Sequence, residues 1–175
     1  MKIKILLIIT AILFLTGCAS NDNTNSLILS PSALAGDWNL TSQTVEDGTL
    51  TATENGVTIT ATYTSFARDI NVLFSFTENP NEVTQDGTYT LVNTISVLGQ
   101  EQVEEEDVIL SNSEVSNWSL ENNILTITDN DVDLLLSVEE FTATYIKLKS
   151  EIDETETFNG ETVSTSATLY IVLER

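Results

Sequence analysis

Val57-Thr58-Ile59-Thr60-Ala61-Thr62-Tyr63-Thr64 decides the fold class of this chain. Apolar side chains alternate one-for-one with threonines, a period of two that places them on opposite faces of a strand. A helix would need a period near 3.6, and β-branched residues disfavour it further. The same pattern recurs downstream. Ile70, Val72, Phe74 and Phe76 share one face, and Tyr89, Leu91, Ile95 and Val97 form another set. Trp118 and Leu120 lead through Glu121-Asn122-Asn123 into Leu125 and Ile127, a compact hairpin signal. Residues 132–138, 141–148 and 167–173 complete the series.

Turn chemistry separates these runs: Glu46-Asp47-Gly48, Glu54-Asn55-Gly56, Asn79-Pro80-Asn81, Asp86-Gly87 and Asn159-Gly160. The reading is roughly eight to ten half-buried antiparallel strands and no long helix. Sequential hairpins with short turns favour an all-β, antiparallel up-and-down meander. A meander of about eight strands removes its edges by closing into a barrel. A two-sheet sandwich shares the periodicity and is the structural alternative. Residues 99–107 carry clustered acids that would repel one another across a ladder, which predicts an exposed turn. Residues 150–157 are expected to be a similar acidic connection. Ser30-Pro31 reads as a helix cap and first-turn proline, so one short helical turn is expected over residues 30–35.

The N-terminus has a different logic. Lys2 and Lys4 precede an apolar run over residues 5–15, which ends in Leu15-Thr16-Gly17-Cys18. A basic start, a short hydrophobic centre and small residues near a cut are the layout of a secretory signal. The run is shorter than the ~20 apolar residues of a membrane-spanning helix. Leu15-Thr16-Gly17-Cys18 resembles the lipobox of bacterial lipoproteins. The resemblance implies a signal peptide over residues 1–17 and cleavage before Cys18. It also implies acyl chains, palmitate among them, on that cysteine's sulfur and new amino group. Residues 18–33 then form the lipidated cysteine and a polar tether, and residues 34–175 the folded domain. Ala19, directly after the cysteine, is not the aspartate that can signal inner-membrane retention, so the resemblance favours the outer membrane.

Charge fits that placement. The chain carries 27 acidic and 6 basic residues, a net charge of −21. Loss of Lys2 and Lys4 with the leader would make it more negative. Such a surface repels nucleic acid and anionic headgroups, so membrane attachment must come from lipid. Cys18 is the sole cysteine, so no disulfide braces the domain.

Leu34-Ala35-Gly36-Asp37-Trp38-Asn39-Leu40 resembles the Gly-x-Trp opening of lipocalin-type barrels. With the lipobox, the tether, Gly87-Thr88-Tyr89 and Trp118-Ser119-Leu120, the layout is similar to the lipocalin-like domains of small envelope lipoproteins. The resemblance implies a barrel with Trp38 packed across one end. It also implies a basic side chain from the last strand over that tryptophan, for which Arg175 is the sole candidate. Lipocalin relatives commonly hold a small apolar ligand inside. Tyr63, Phe66, Phe74, Phe76, Tyr89, Phe141 and Tyr145 are candidates to line a cavity or to fill it. An eight-stranded barrel permits either outcome.

Catalytic chemistry is sparse. There is no histidine, and Cys18 is taken by lipid, so Ser–His and Cys–His nucleophile arrangements are excluded. Asp129-Asn130-Asp131-Val132-Asp133 with Glu140 superficially follows a calcium-loop spacing. Its sixth position is Leu134 where such loops need glycine, so it reads as an acidic hairpin turn entering a buried strand. Arg68-Asp69 reads as a turn ion pair. The expectation is a non-enzymatic envelope lipoprotein without cofactor or metal. It would be held by its acyl chains and would bind a small apolar ligand. A filled barrel acting as a structural or interaction module, with a protein partner the sequence does not identify, is the alternative.

Overall fold

The computed structural model describes residues 28–54, 56–158 and 161–175. Residues 1–27, which hold the expected signal peptide, Cys18 and most of the expected tether, lie outside the described residues, as does the expected Asn159-Gly160 turn. The described chain starts with one helical turn, α1 (Pro31–Leu34), capped by the Ser30 hydroxyl, which accepts from the Ala33 amide. Proline at the first position has no amide to leave unbonded.

Nine strands follow: β1 (Gly36–Glu54), β2 (Val57–Thr77), β3 (Glu82–Val97), β4 (Gln100–Leu110), β5 (Val115–Glu121), β6 (Ile124–Asp129), β7 (Val132–Phe141), β8 (Tyr145–Phe158) and β9 (Glu161–Glu174). All pairings are antiparallel. The order β2-β1-β9-β8-β7-β6-β5-β3 is closed by pairing of β3 back onto β2, and β4 lies outside this ring. The architecture is therefore an all-β barrel of eight ring strands. The two-residue turns at Asn122-Asn123 and Asn130-Asp131 have positive φ at both positions. That geometry matches the right-handed twist of the flanking strands and suits asparagine and aspartate.

The ring closes along only part of the strand length. β5 meets β3 through Glu82–Thr84 alone, and from Gly87 onward that edge of β3 belongs to β4. β7 meets β8 only as far as the Ser137–Lys149 pair. Beyond these points β8, β9, β1, β2, β3 and β4 run on as a six-stranded open wing, with β8 and β4 at its edges.

Several turn expectations are corrected. Glu46-Asp47-Gly48 is an irregularity within β1, where the register with both neighbours shifts. Asp86-Gly87 lies inside β3, opposite a register shift at residues 68–71 of β2. Bulges recruit the same residues as turns because both need backbone conformations that ordinary side chains resist. At Gly87 φ is +126°, and a Cβ there would lie 1.9 Å from the Asn71 carbonyl oxygen. Only glycine fits.

The acidic segments are also corrected. Residues 100–110 form β4, and residues 150–157 belong to β8. Their carboxylates are tolerated because both strands are edges whose side chains reach water, where repulsion is screened. Charge on an edge also discourages another chain from pairing there. Arg68 does not sit in a turn. It lies within β2 and its guanidinium reaches Glu105 of β4 at 2.6 Å and Asp69 at 3.8 Å. Both are exposed pairs, worth at most ~1 kcal/mol.

The core belongs to the barrel. Leu34, Trp38, Val83, Leu125, Leu136, Ile146, Leu148 and Leu173 are almost completely buried. On the wing, Val57 and Ile59 are 63% and 51% exposed, although their alternation with threonine is regular. The strand expectation for that stretch holds, but its half-burial does not.

Candidate functional site

The two ends of the barrel differ in packing. At one end Trp38 is fully buried, and its Nε1 donates to the Leu34 carbonyl at 2.7 Å. Phe141 packs on it with ring centroids 6.3 Å apart. Arg175 lies across the Trp38 ring, its guanidinium carbon 4.1 Å from the ring centroid. The same guanidinium donates to the carbonyls of Ala33, Ala35 and Ala143. These bonds tie α1, the β7–β8 connection and the end of β9 into one cap. Gly36 allows this approach, because a Cβ there would sit 3.2 Å from the Arg175 Nη1. The position expected for a basic cover over Trp38 is thus filled by Arg175. The second tryptophan braces the wall. Trp118 Nε1 reaches the carbonyls of Thr77 and Glu82 on either side of the β2–β3 turn, and its ring meets Phe76 edge-on at 5.9 Å. Both tryptophans serve the packed end rather than the cavity.

Above this floor lies a cavity of about 200 Å³. Phe74, Phe76, Ile127, Leu134, Leu136, Leu148, Leu169, Ile171 and Leu173 line it, and its polar groups are the side chains of Gln43 and Gln85. It adjoins a mouth of about 390 Å³ between the β4–β5 connection and the β6–β7 turn. Gln85, Ile127 and Leu134 line both spaces. The rim of the mouth adds Glu114, Asp129, Asn130, Ser111 and Ser116. The interior is therefore neither wholly filled nor wholly open. Packing seals one end and leaves a small apolar space at the other.

Of the seven aromatic candidates, Phe74 and Phe76 line this cavity. Phe141 packs against Trp38, and Tyr89 packs partly against the core. Phe66 is 47% exposed. Tyr145 lies in register with the outward positions Lys147 and Lys149, since Ile146 and Leu148 point inward. Tyr63 belongs to the wing, where burial and the nearby Glu154 hold its phenol above the usual tyrosine range. The aliphatic liners of β7 and β9 were visible in the sequence only as strand alternation. Which of two faces lines a cavity depends on where the ring closes.

The basic groups lie elsewhere. Lys147 pairs with Glu139 at 3.1 Å and lies over the Tyr170 ring on the outer wall. Lys149 pairs with Glu151. Hydrogen bonds to these carboxylates push both ammonium pKa values up, and Lys149 together with Thr168 pulls that of Glu151 down. The stretch from Asp129 to Asp133 forms the β6–β7 turn, in which Thr128 donates to Asp133 at 2.6 Å and Asn130 to Asp129 at 3.1 Å. Its strand is less buried than expected: Leu136 is buried, whereas Leu134 and Leu135 are 36% and 55% exposed. Among the described residues no three acidic side chains converge as a metal site. Cys18 lies outside the described residues. No family of known proteins, no curated protein and no solved structure matches this chain.

Proposed function

We propose that the protein is a bacterial envelope lipoprotein, anchored to the outer membrane through acyl chains on Cys18. Its lipocalin-like barrel carries a small apolar molecule without transforming it. The observation that carries this reading is the apolar cavity joined to a wider mouth above a sealed floor. A floor closed by Trp38, Phe141 and Arg175 gives the space a single deep end, and apolar burial supplies the binding energy at roughly 25 cal/mol per Å².

Native mass spectrometry of the full chain, extracted gently from a bacterial envelope in neutral detergent, tests the carrier reading. A reproducible bound molecule is expected. A clean apo mass that added alkyl compounds do not shift would overturn it. The anchor has its own test: Cys18→Ser should release the chain from the detergent phase on partitioning, and unchanged partitioning would remove the lipoprotein assignment.

A second reading, an interaction module of the envelope, is favoured by the wing. Its apolar positions Leu50 and Ile59 remain 39% and 51% exposed with no element of the described chain laid over them. Crosslinking in the envelope through the wing, with an apo barrel, would select this second reading.

A further inference from the structure

The chemical class of the guest is constrained by what surrounds the cavity, and this inference rests on the carrier reading above, narrowing its apolar guest to one whose apolar tail carries a polar head. The cavity wall is aliphatic and aromatic, with Gln43 and Gln85 as its polar groups. An alkyl or aromatic tail fits such a wall, and a charged head does not, because a charge taken from water without a partner is costly. The head must therefore remain in the mouth. There the ionisable side chains are Glu114 and Asp129, and both are exposed.

Among the described residues no basic side chain lines either space. All four basic residues of the described chain are committed elsewhere. Arg68 bonds Glu105, Lys147 bonds Glu139 and Lys149 bonds Glu151, all on the outer wall or wing. Arg175 is held by three backbone carbonyls at the sealed end. An anionic head such as a fatty-acid carboxylate would thus meet like charge and find no counter-charge. The field of a strongly acidic chain adds to this exclusion over roughly a Debye length.

We propose that the cavity and its mouth select a cationic single-chain amphiphile, an alkyl amine or quaternary ammonium compound. The tail occupies the cavity lined by Phe76 and Leu134, and the head stays in the mouth, whose lining includes Glu114 and Asp129. The ammonium is attracted by these carboxylates and by the surrounding field without leaving water entirely, so neither partner bears a full desolvation penalty.

A matched-tail competition tests this. The full chain in neutral detergent is incubated with equimolar decyltrimethylammonium, decanoate and decanol at low salt, and the adducts are counted by native mass spectrometry. The cation should exceed decanoate by about tenfold or more, with decanol between them, and added salt should compress the ratio. The double substitution Glu114→Gln with Asp129→Asn should bring cation and alcohol close to equality. Both positions are exposed, so folding is preserved, and circular dichroism verifies it. Equal or preferred binding of decanoate overturns the cationic selection and leaves the carrier reading standing. A ratio unmoved by the double substitution overturns the assignment of the head to the mouth. Absence of every adduct overturns both.

Discussion

The closed end of the barrel and the wing are built from the same strands, yet they obey different constraints. At the closed end β1 contributes Trp38 and Leu40, and β9 contributes Ile171 and Leu173, all buried beneath facing strands. Further along, β1 carries Leu50 at the surface, with the hydroxyl pairs Thr49–Ser166 towards β9 and Thr51–Thr60 towards β2. Both regions are strand-forming by local propensity: aromatic and aliphatic residues dominate at the closed end, and threonine with β-branched residues dominates on the wing. The number of partners changes. Where β5, β6 and β7 complete the ring, a strand's inward face meets the opposite wall. Where those three short strands end, the inward face meets solvent. A strand pattern therefore reports that one face is apolar, and the rest of the ring decides whether that face becomes core.

This contrast predicts a descending series of effects. Trp38→Ala should be the largest, because it empties the floor and releases Arg175 from its platform. About 3–5 kcal/mol is expected from a buried tryptophan, read as a shift of the denaturation midpoint. A loss under about 1 kcal/mol would mean that the closed end is not the stability centre. Gly87→Ala acts at the junction between barrel and wing. The Cβ collides with the Asn71 carbonyl and φ is +126°, so about 2–3 kcal/mol of destabilisation is expected from strain and local rearrangement. Hydrogen exchange should show β3 and β2 loosening first, and protection unchanged in these strands would contradict the bulge assignment.

Ile59→Ala, by contrast, should cost no more than about 0.5–1 kcal/mol, since the side chain already meets water over half its surface. A loss comparable to Trp38→Ala would show that something covers the wing. The smallest effect is spectroscopic. Burial first and the nearby Glu154 second raise the Tyr63 pKa above the ordinary tyrosine value. A raised acid favours the protonated fold, so this contribution is full below the unfolded tyrosine pKa and is lost as pH climbs through the folded value. Ultraviolet titration should find one tyrosine ionising late, and Tyr63→Phe should remove it. Glu154→Gln should bring that step earlier, and an unmoved curve would remove the carboxylate from the account.

Parts of the molecule were legible from local signals because the physics is local. Ser30-Pro31 specifies a capped first turn by itself, and Glu121-Asn122-Asn123 specifies a tight hairpin through residues that tolerate positive φ. Asp47-Gly48 and Asp86-Gly87 carry turn chemistry yet form strand irregularities, because both structures require the same backbone freedom and differ only in whether the chain reverses afterwards. The acidic β4 is not legible as a strand, because repulsion between carboxylates depends on solvent screening, and screening depends on the strand being an edge. The lining of the candidate site was harder still. Phe74 and Phe76 stand out in the sequence as candidate aromatics, but Leu134, Leu148 and Ile171 become liners only through ring closure.

By itself the sequence determined an antiparallel all-β chain, the strand-face alternation, the tryptophan at the start of β1 and a surface dominated by negative charge. These follow from side-chain period, turn chemistry and counted charges. The tertiary structure decided that β3 splits its edge between β5 and β4, that Arg175 covers Trp38, and that the apolar faces divide into floor, cavity and open wing. Those outcomes rest on contacts between residues as much as 142 positions apart, such as Arg175 with Ala33. No local pattern encodes a contact whose free energy exists only once the ring has closed.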